Sequence, residues 1–197
     1  MPSRVDPLPE PWLENYIVRE GDTFVDVGAC EGGWTKALYG HFKRIVAIEP
    51  FATDANLHVK PDVRVIEKAA WNRNGHEAFR YKPGASYRAL SADEPGVRVL
   101  PTETLDSMLS TEEGSIDLLK IDVEGGEIEV ICGGIQTIKK HRPRIVLEYH
   151  GSEQKREALK LLTPLYSVIQ PVTAPGWEGE AHHFGHLVFR GLADGRT

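Results

Sequence analysis

Four side chains in the second half of the chain have the types and spacing of a proton-transfer set. Asp122 and Glu124 stand two residues apart in IDLLKIDVEGGEIEV (116–130), and Glu148 and His150 repeat that spacing in RIVLEYH (144–150). Each pair closes a run of Val, Ile and Leu that reads as a β-strand, where residues two apart share a face. A carboxylate or imidazole at a strand end can take a proton from an attacking hydroxyl. His150 has the unperturbed pKa best suited to that transfer near neutrality. Asp122, Glu148 and His150 would also suit Mg²⁺ or Mn²⁺, but nothing in the spacing requires an ion, and none is expected. Glu127 and Glu129 read more simply, as first-turn acids that complement a helix dipole.

A second constellation is Asp26-Val27-Gly28-Ala29-Cys30-Glu31-Gly32-Gly33, which follows an apolar strand and opens a helix at Trp34. Such a strand–loop–helix corner lies at the carboxyl edge of a doubly wound sheet, where ligands bind. A dinucleotide fingerprint would place glycine where Cys30 stands, and Asp26 and Glu31 would repel a pyrophosphate. The same acids would attract S-adenosylmethionine, which carries a sulfonium and an ammonium and no phosphate. Its carboxylate can use the backbone N–H groups near Gly33 and Trp34. Glu49, about 20 residues after the glycine loop, is placed to accept hydrogen bonds from ribose hydroxyls.

The elements that must position these groups alternate along the chain. Strands are expected over Thr23–Gly28, Arg44–Glu49, Val63–Ala70, Ile116–Asp122 and Arg144–Glu148. Near-continuous apolar runs of this kind fit strands covered on both faces. Trp34, Leu38 and Phe42 mark one face of a first helix, and Ile128, Ile131, Ile135 and Ile138 mark a helix after the fourth strand. Ser152 caps a further helix that Pro164 stops. Tyr166–Val172 and His186–Arg190 read as two last strands joined without a helix, hence antiparallel. The expected fold is α/β and Rossmann-like: a doubly wound, mostly parallel sheet with an antiparallel C-terminal strand, the class I methyltransferase layout. If the last strand is antiparallel, His182, His183 and His186 lie near its ligand-facing start.

The whole chain, 1–197, is read as one domain with a short N-terminal extension (1–20) and an insert (71–100) beside the acceptor site. Asn-Gly and Pro-Gly turns in the insert suggest a hairpin around HEAFRYK. Arg73, Arg80, Lys82, Arg88 and Arg98 make the insert locally positive, which would suit an anionic acceptor. The chain as a whole is acidic, with 23 Lys and Arg against 29 Asp and Glu and a net charge of -6. Nucleic acid is therefore disfavoured as a partner, because phosphate-tracking proteins carry the opposite sign. Hydrophobic residues at 41% and charged residues at 26% fit a globular protein and exclude disorder. No apolar run approaches the ~20 residues of a membrane span, and the first residues form no signal peptide, so a cytoplasmic location is expected. Cys30 and Cys132, without CxxC spacing, suggest neither a disulfide framework nor a structural zinc site.

VDVGACEGGWT, the acid–proline step IEP at 48–50, and above all DLLKIDVEGGE followed by RPRIVLE make the chain resemble the FkbM-type family of S-adenosylmethionine-dependent methyltransferases. The resemblance runs from Gly21 to Arg190. It implies O-methylation of a hydroxyl on a sugar, polyketide or other small molecule. It also implies that Asp26, Gly28 and Gly32 hold the methionine end of the cofactor, with Ala29, Cys30 and Trp34 among the cofactor-binding residues of the same loop. Glu49 and Pro50 would lie at the ribose, Ala69, Ala70 and Trp71 near the adenine, and Asp122 and Glu124 near the reacting methyl. Cys30 and Glu31 depart from the Asn and the apolar residue usual in the family. The short N-terminal region leaves little for an acceptor cap, which a partner subunit of a homo-oligomer could supply. The alternatives are an RNA ribose 2′-O-methyltransferase using Lys120, an N-methyltransferase, a non-catalytic cofactor-binding module, and an NAD-dependent dehydrogenase.

Overall fold

The computed structural model describes residues 7–53, 57, 60–80, 87–88, 95–176 and 184–192. The strands are β1 (Gly21–Val27), β2 (Phe42–Ile48), β3 (Arg64–Ile66), β4 (Ala69–Trp71), β5 (Gly75–Arg80), β6 (Tyr87–Arg88), β7 (Val97–Thr104), β8 (Ile116–Ile121), β9 (Arg144–His150), β10 (Tyr166–Val172) and β11 (Phe184–Leu192). The helices are α1 (Gly33–Ala37), α2 (Leu105–Met108), α3 (Glu127–Gly133), α4 (Ile135–His141) and α5 (Ser152–Leu162).

Seven strands form one sheet in the order β10-β11-β9-β8-β1-β2-β3. β11 alone runs against its neighbours, pairing antiparallel with both β9 and β10. The order reverses beside β1, so the carboxyl ends of β1 and β8 border the crevice where ligands of such sheets bind. Register does the positioning. Asp26 pairs with Lys120, Lys120 with Val146, and His186 with Glu148, so the ends of β1, β8 and β9 and the start of β11 meet at one edge.

Both faces of the central strands are covered, which explains their near-continuous apolar runs. On one face Val27, Leu119, Ile121 and Leu147 pack with Val130, Ile131 and Leu162 of α3 and α5. On the other, Phe24, Ala47, Leu118 and Val146 pack with Trp34 and Leu38, and with Leu8, Leu13 and Ile17 of the N-terminal segment. That segment is short, yet it is a built part of the core.

Four expectations are corrected. The first helix ends at Ala37: Gly40, at φ 80, turns the chain, and Phe42 opens β2, although it still joins the Trp34 and Leu38 cluster. The run Val63–Ala70 is two strands in two sheets. β3 is an exposed edge beside β2, whereas the buried β4 belongs to a second sheet, β4-β7-β5-β6. The isoleucine-marked helix breaks at Gly134 into α3 and α4. A Cβ on Gly133 would lie 1.9 Å from the Trp71 carbonyl oxygen, so glycine there lets α3 approach β4. Ser152 does not cap α5 but is its first residue, with Gly151 at the cap. Pro164 sits in the 3-10 turn Thr163–Leu165 that follows.

The insert supplies β5 and β6 of the second sheet, antiparallel to each other, and β7 begins within it. Lys82 of its charge pattern, and His182 and His183, lie outside the described residues. Among the described residues no helix is long and apolar enough to cross a membrane. No disulfide joins Cys30 and Cys132.

Candidate active site

The first loop crosses the end of β8 so closely that a Cβ on Gly28, which has φ 76, would lie 1.7 Å from the Asp122 carbonyl oxygen. Only glycine allows this crossing. Beneath it Lys120 is buried. Its Nζ donates to the Gly28 carbonyl at 2.6 Å and lies 3.3 Å from Asp122 Oδ2 and 3.5 Å from Asp26 Oδ1. Burial works against this ammonium, but the carboxylates of Asp122, Asp26 and Glu10 outweigh it and hold its pKa above the ordinary lysine value. Asp26 is wholly buried and accepts from Thr35 Oγ1 at 2.8 Å. The acidic corner is therefore built differently from the expectation. Asp26 lies under the loop instead of at its mouth, and the Glu31 side chain is exposed.

Glu49, at the end of β2, ties the loop to the sheet. Its Oε2 accepts from the Cys30 amide and its Oε1 from the Phe51 amide, both at 3.0 Å. Burial raises its pKa, the two amides opposing. Cys30 takes φ 49, an uncommon conformation for a residue with a Cβ, and thereby aims its N–H at Glu49. Ala29 is buried, Gly32 caps α1 at φ 79, and Pro50 is half-buried in the turn after Glu49. Ala69 and Trp71 pack with Phe51, two residues past Glu49, while Ala70 faces the main core. The Trp71 indole lies against Gly126 and edge-on to Phe79 at 5.9 Å, so its ring is taken up by packing.

The second half of the edge gathers the predicted proton-transfer set around His150. Its Nδ1 is 2.9 Å from Glu127 Oε1, and its Nε2 is 3.3 Å from Glu124 Oε2 and 3.7 Å from Glu148 Oε1. Burial would lower the imidazole's pKa, but the bond to Glu127 and the charges of Glu127, Glu124 and Asp122 raise it to about 9. Glu124 reaches His150 from a left-handed backbone, φ 54, and its own pKa is raised, chiefly by burial. His186 is 3% exposed, and its Nε2 lies 3.2 Å from Glu148 Oε2. Glu127, read from the sequence as a first-turn acid that complements the helix dipole, is completely buried. Its place in the set could have been found from helical geometry, since a first-turn residue after a strand end faces back toward that edge.

Glu10 is the residue that sequence reasoning missed outright. Pro9 packs on Gly33, and Glu10 Oε2 accepts from Trp34 Nε1 at 2.5 Å. A cavity at this point is lined by Glu10, Trp34, Lys120, Asp122, Glu148 and His186, together with Ile121 and Val146. Its three carboxylates exceed the one ammonium, a charge balance that fits a cationic sulfonium and ammonium and does not fit a pyrophosphate. Asp122, Glu148 and His150 also offer ligand atoms within 4.8 Å of one another, close enough to share a divalent ion.

The fold is that of known methyltransferases. An FkbM methyltransferase from Methylobacillus flagellatus superposes with a TM-score of 0.57 at 15% identity, over 87% of this chain and 44% of that one. The present chain thus spans less than half the length of that protein. A ribosomal RNA methyltransferase from Plasmodium falciparum gives 0.54 at 14% identity, over 93% of each chain. The N-methyltransferase NodS from Bradyrhizobium japonicum gives 0.51 at 13%, over 91% of this chain and 89% of that one. At such identities the likeness is one of fold. No curated protein sequence matches the chain. The methyltransferase FkbM domain matches residues 26–184, from the carboxylate of the first loop to the first residue of β11, and the chain therefore belongs to the FkbM family of S-adenosylmethionine-dependent methyltransferases.

Proposed function

We propose that the protein methylates a hydroxyl of a sugar, polyketide or other small molecule, with His150 taking the proton of that hydroxyl. The observation that carries this reading is the placement of His150 at the ligand-facing edge, with Nδ1 fixed by the buried Glu127 and Nε2 turned toward Glu124 and Glu148. When bound, S-adenosylmethionine supplies a methyl group already activated by its sulfonium. What the chain must add is alignment of the acceptor and a sink for its proton. Alignment alone can contribute ~7–11 kcal/mol, and a positioned base typically about 10²–10⁴-fold. The Gly28–Trp34 loop, Glu49 and Asp122 hold the cofactor side, and Glu124, Glu148 and His150 the acceptor side. With a pKa of about 9, His150 is mostly protonated at neutral pH, so its basic form grows as pH rises through 7 to 9.

Two observations favour a small acceptor over RNA. The chain is acidic, at a net charge of -6. Lys120, the group an RNA ribose methylation would ask to deprotonate the hydroxyl, is committed to the Gly28 carbonyl and raised in pKa. The reading includes a cytoplasmic location, one methyltransferase domain over 1–197, and an acceptor wall from the insert.

The test is methyl transfer from isotopically labelled S-adenosylmethionine to panels of hydroxylated sugars and polyketide alcohols, amines, and ribosomal RNA. Label on hydroxyl oxygens of small acceptors supports the reading. Label on RNA or nitrogen alone overturns it.

A further inference from the structure

The N-terminal segment brings a carboxylate into the cavity from outside the family-matched residues 26–184. Leu8, Leu13 and Ile17 anchor this segment in the core beside Trp34, so Glu10 is held where it is by packing. Its Oε2 accepts from the Trp34 indole at 2.5 Å, and it shares the cavity with Lys120 and Asp122. The acid that the first-loop motif nominates for the methionine end, Asp26, is 0% exposed, with Thr35 on one oxygen and Lys120 beside the other. It cannot reach a ligand without dismantling that arrangement. An ammonium arriving beside Trp34 meets instead the carboxylates that line the cavity, and Glu10 is the one bonded to the Trp34 indole.

We propose that Glu10 binds the α-ammonium group of the cofactor's aminoacyl end, doing from outside the glycine loop what Asp26 is too buried to do. The proposal rests on the cofactor reading above. The aminoacyl end is the only part of the cofactor with an ammonium, so the contact discriminates between ligands that carry this end and those that lack it. Lys120, which lines the same cavity, repels an ammonium, so the carboxylates beside it must outweigh that charge. The segment thereby makes the N-terminal region part of the cofactor site.

The experiment is calorimetric titration of the full chain and its Glu10→Gln variant with S-adenosylhomocysteine and with 5′-methylthioadenosine, which has the same thioether nucleoside but no aminoacyl end. Glutamine keeps an oxygen for Trp34 Nε1 and removes the charge, so thermal unfolding should stay close to that of the parent chain. Losing one charge-assisted hydrogen bond should weaken S-adenosylhomocysteine about tenfold or more and leave 5′-methylthioadenosine within about twofold. Equal weakening of both ligands would make Glu10 a prop for the Trp34 loop and overturn the proposal, as would unchanged binding of S-adenosylhomocysteine. Failure of the parent chain to bind either compound would overturn the cofactor reading itself, and this proposal with it.

Discussion

His150 Nδ1 lies 2.9 Å from Oε1 of Glu127, a carboxylate with no solvent exposure that also accepts from the Gly125 amide. A histidine whose Nδ1–H is held by a buried acid presents Nε2 in one tautomer and one orientation. Replacing Glu127 by Gln preserves the shape and an oxygen for Gly125 but removes the charge. The His150 pKa should then fall from about 9 by at least about one unit, since a charged partner is the stronger stabiliser of imidazolium. The imidazole resonances of His150, followed by NMR against pH in Glu127→Gln and parent, read this directly. An unmoved pKa would deny Glu127 its orienting role.

The same histidine makes folding pH-dependent. Its pKa is raised in the folded state, so its contribution is fully present below about pH 6.5 and fades as pH climbs through about 9. The upper bound is about 3 kcal/mol, from ~1.4 kcal/mol per pKa unit. Glu10, Glu49 and Glu124, raised chiefly by burial, act in the same direction from the ordinary carboxylate range upward. Urea unfolding at pH 6, 8 and 10 should show falling stability in the parent chain. In His150→Asn the decline between pH 8 and 10 should be smaller. A parallel decline in both would remove His150 as the cause.

Lys120 is the cation that makes the buried Asp26 tolerable. Lys120→Met should destabilise the protein by about 3–5 kcal/mol, the usual consequence of leaving a buried charge without its partner. Adding Asp26→Asn to that variant should restore part of the loss, because the stranded charge goes with it. Additive destabilisation in the double variant would show that the two groups do not act as a pair.

Donor atoms of Asp122, Glu148 and His150 within 4.8 Å could serve a metal or a proton, and the two uses separate cleanly. With His150 as base, methyl transfer should be unchanged after exhaustive chelation and dialysis. Loss of activity that Mg²⁺ or Mn²⁺ restores would reassign the three residues to an ion.

The sheet was readable because its central strands are covered on both faces, so β1, β2, β8 and β9 appear as near-continuous apolar runs. What periodicity could not reveal was where the chain changes partners. β3 and β4 look like one strand, and only the exposure of Arg64 and Val65 against the burial of Ala69–Trp71 separates them. The cluster of Glu124, Glu148 and His150 was visible as equal spacing at two strand ends, and β11's register then added His186. Glu127 escaped because a first-turn helix acid has an adequate local explanation. Glu10 escaped because no motif surrounds it, and only the packing of Leu8 and Leu13 carries it back to the edge. Asp26 stood out in the loop motif, but its burial did not, since that depends on Lys120 of the neighbouring strand.

Comparison of His150→Ala with the parent chain bears most directly on the mechanism: single-turnover methyl transfer for the chemistry, calorimetry with S-adenosylhomocysteine for the cofactor. Transfer should slow by about 10²-fold or more while cofactor affinity changes less than about threefold. A matched loss of both, or transfer at the parental rate, would contradict His150 as the acceptor of the proton.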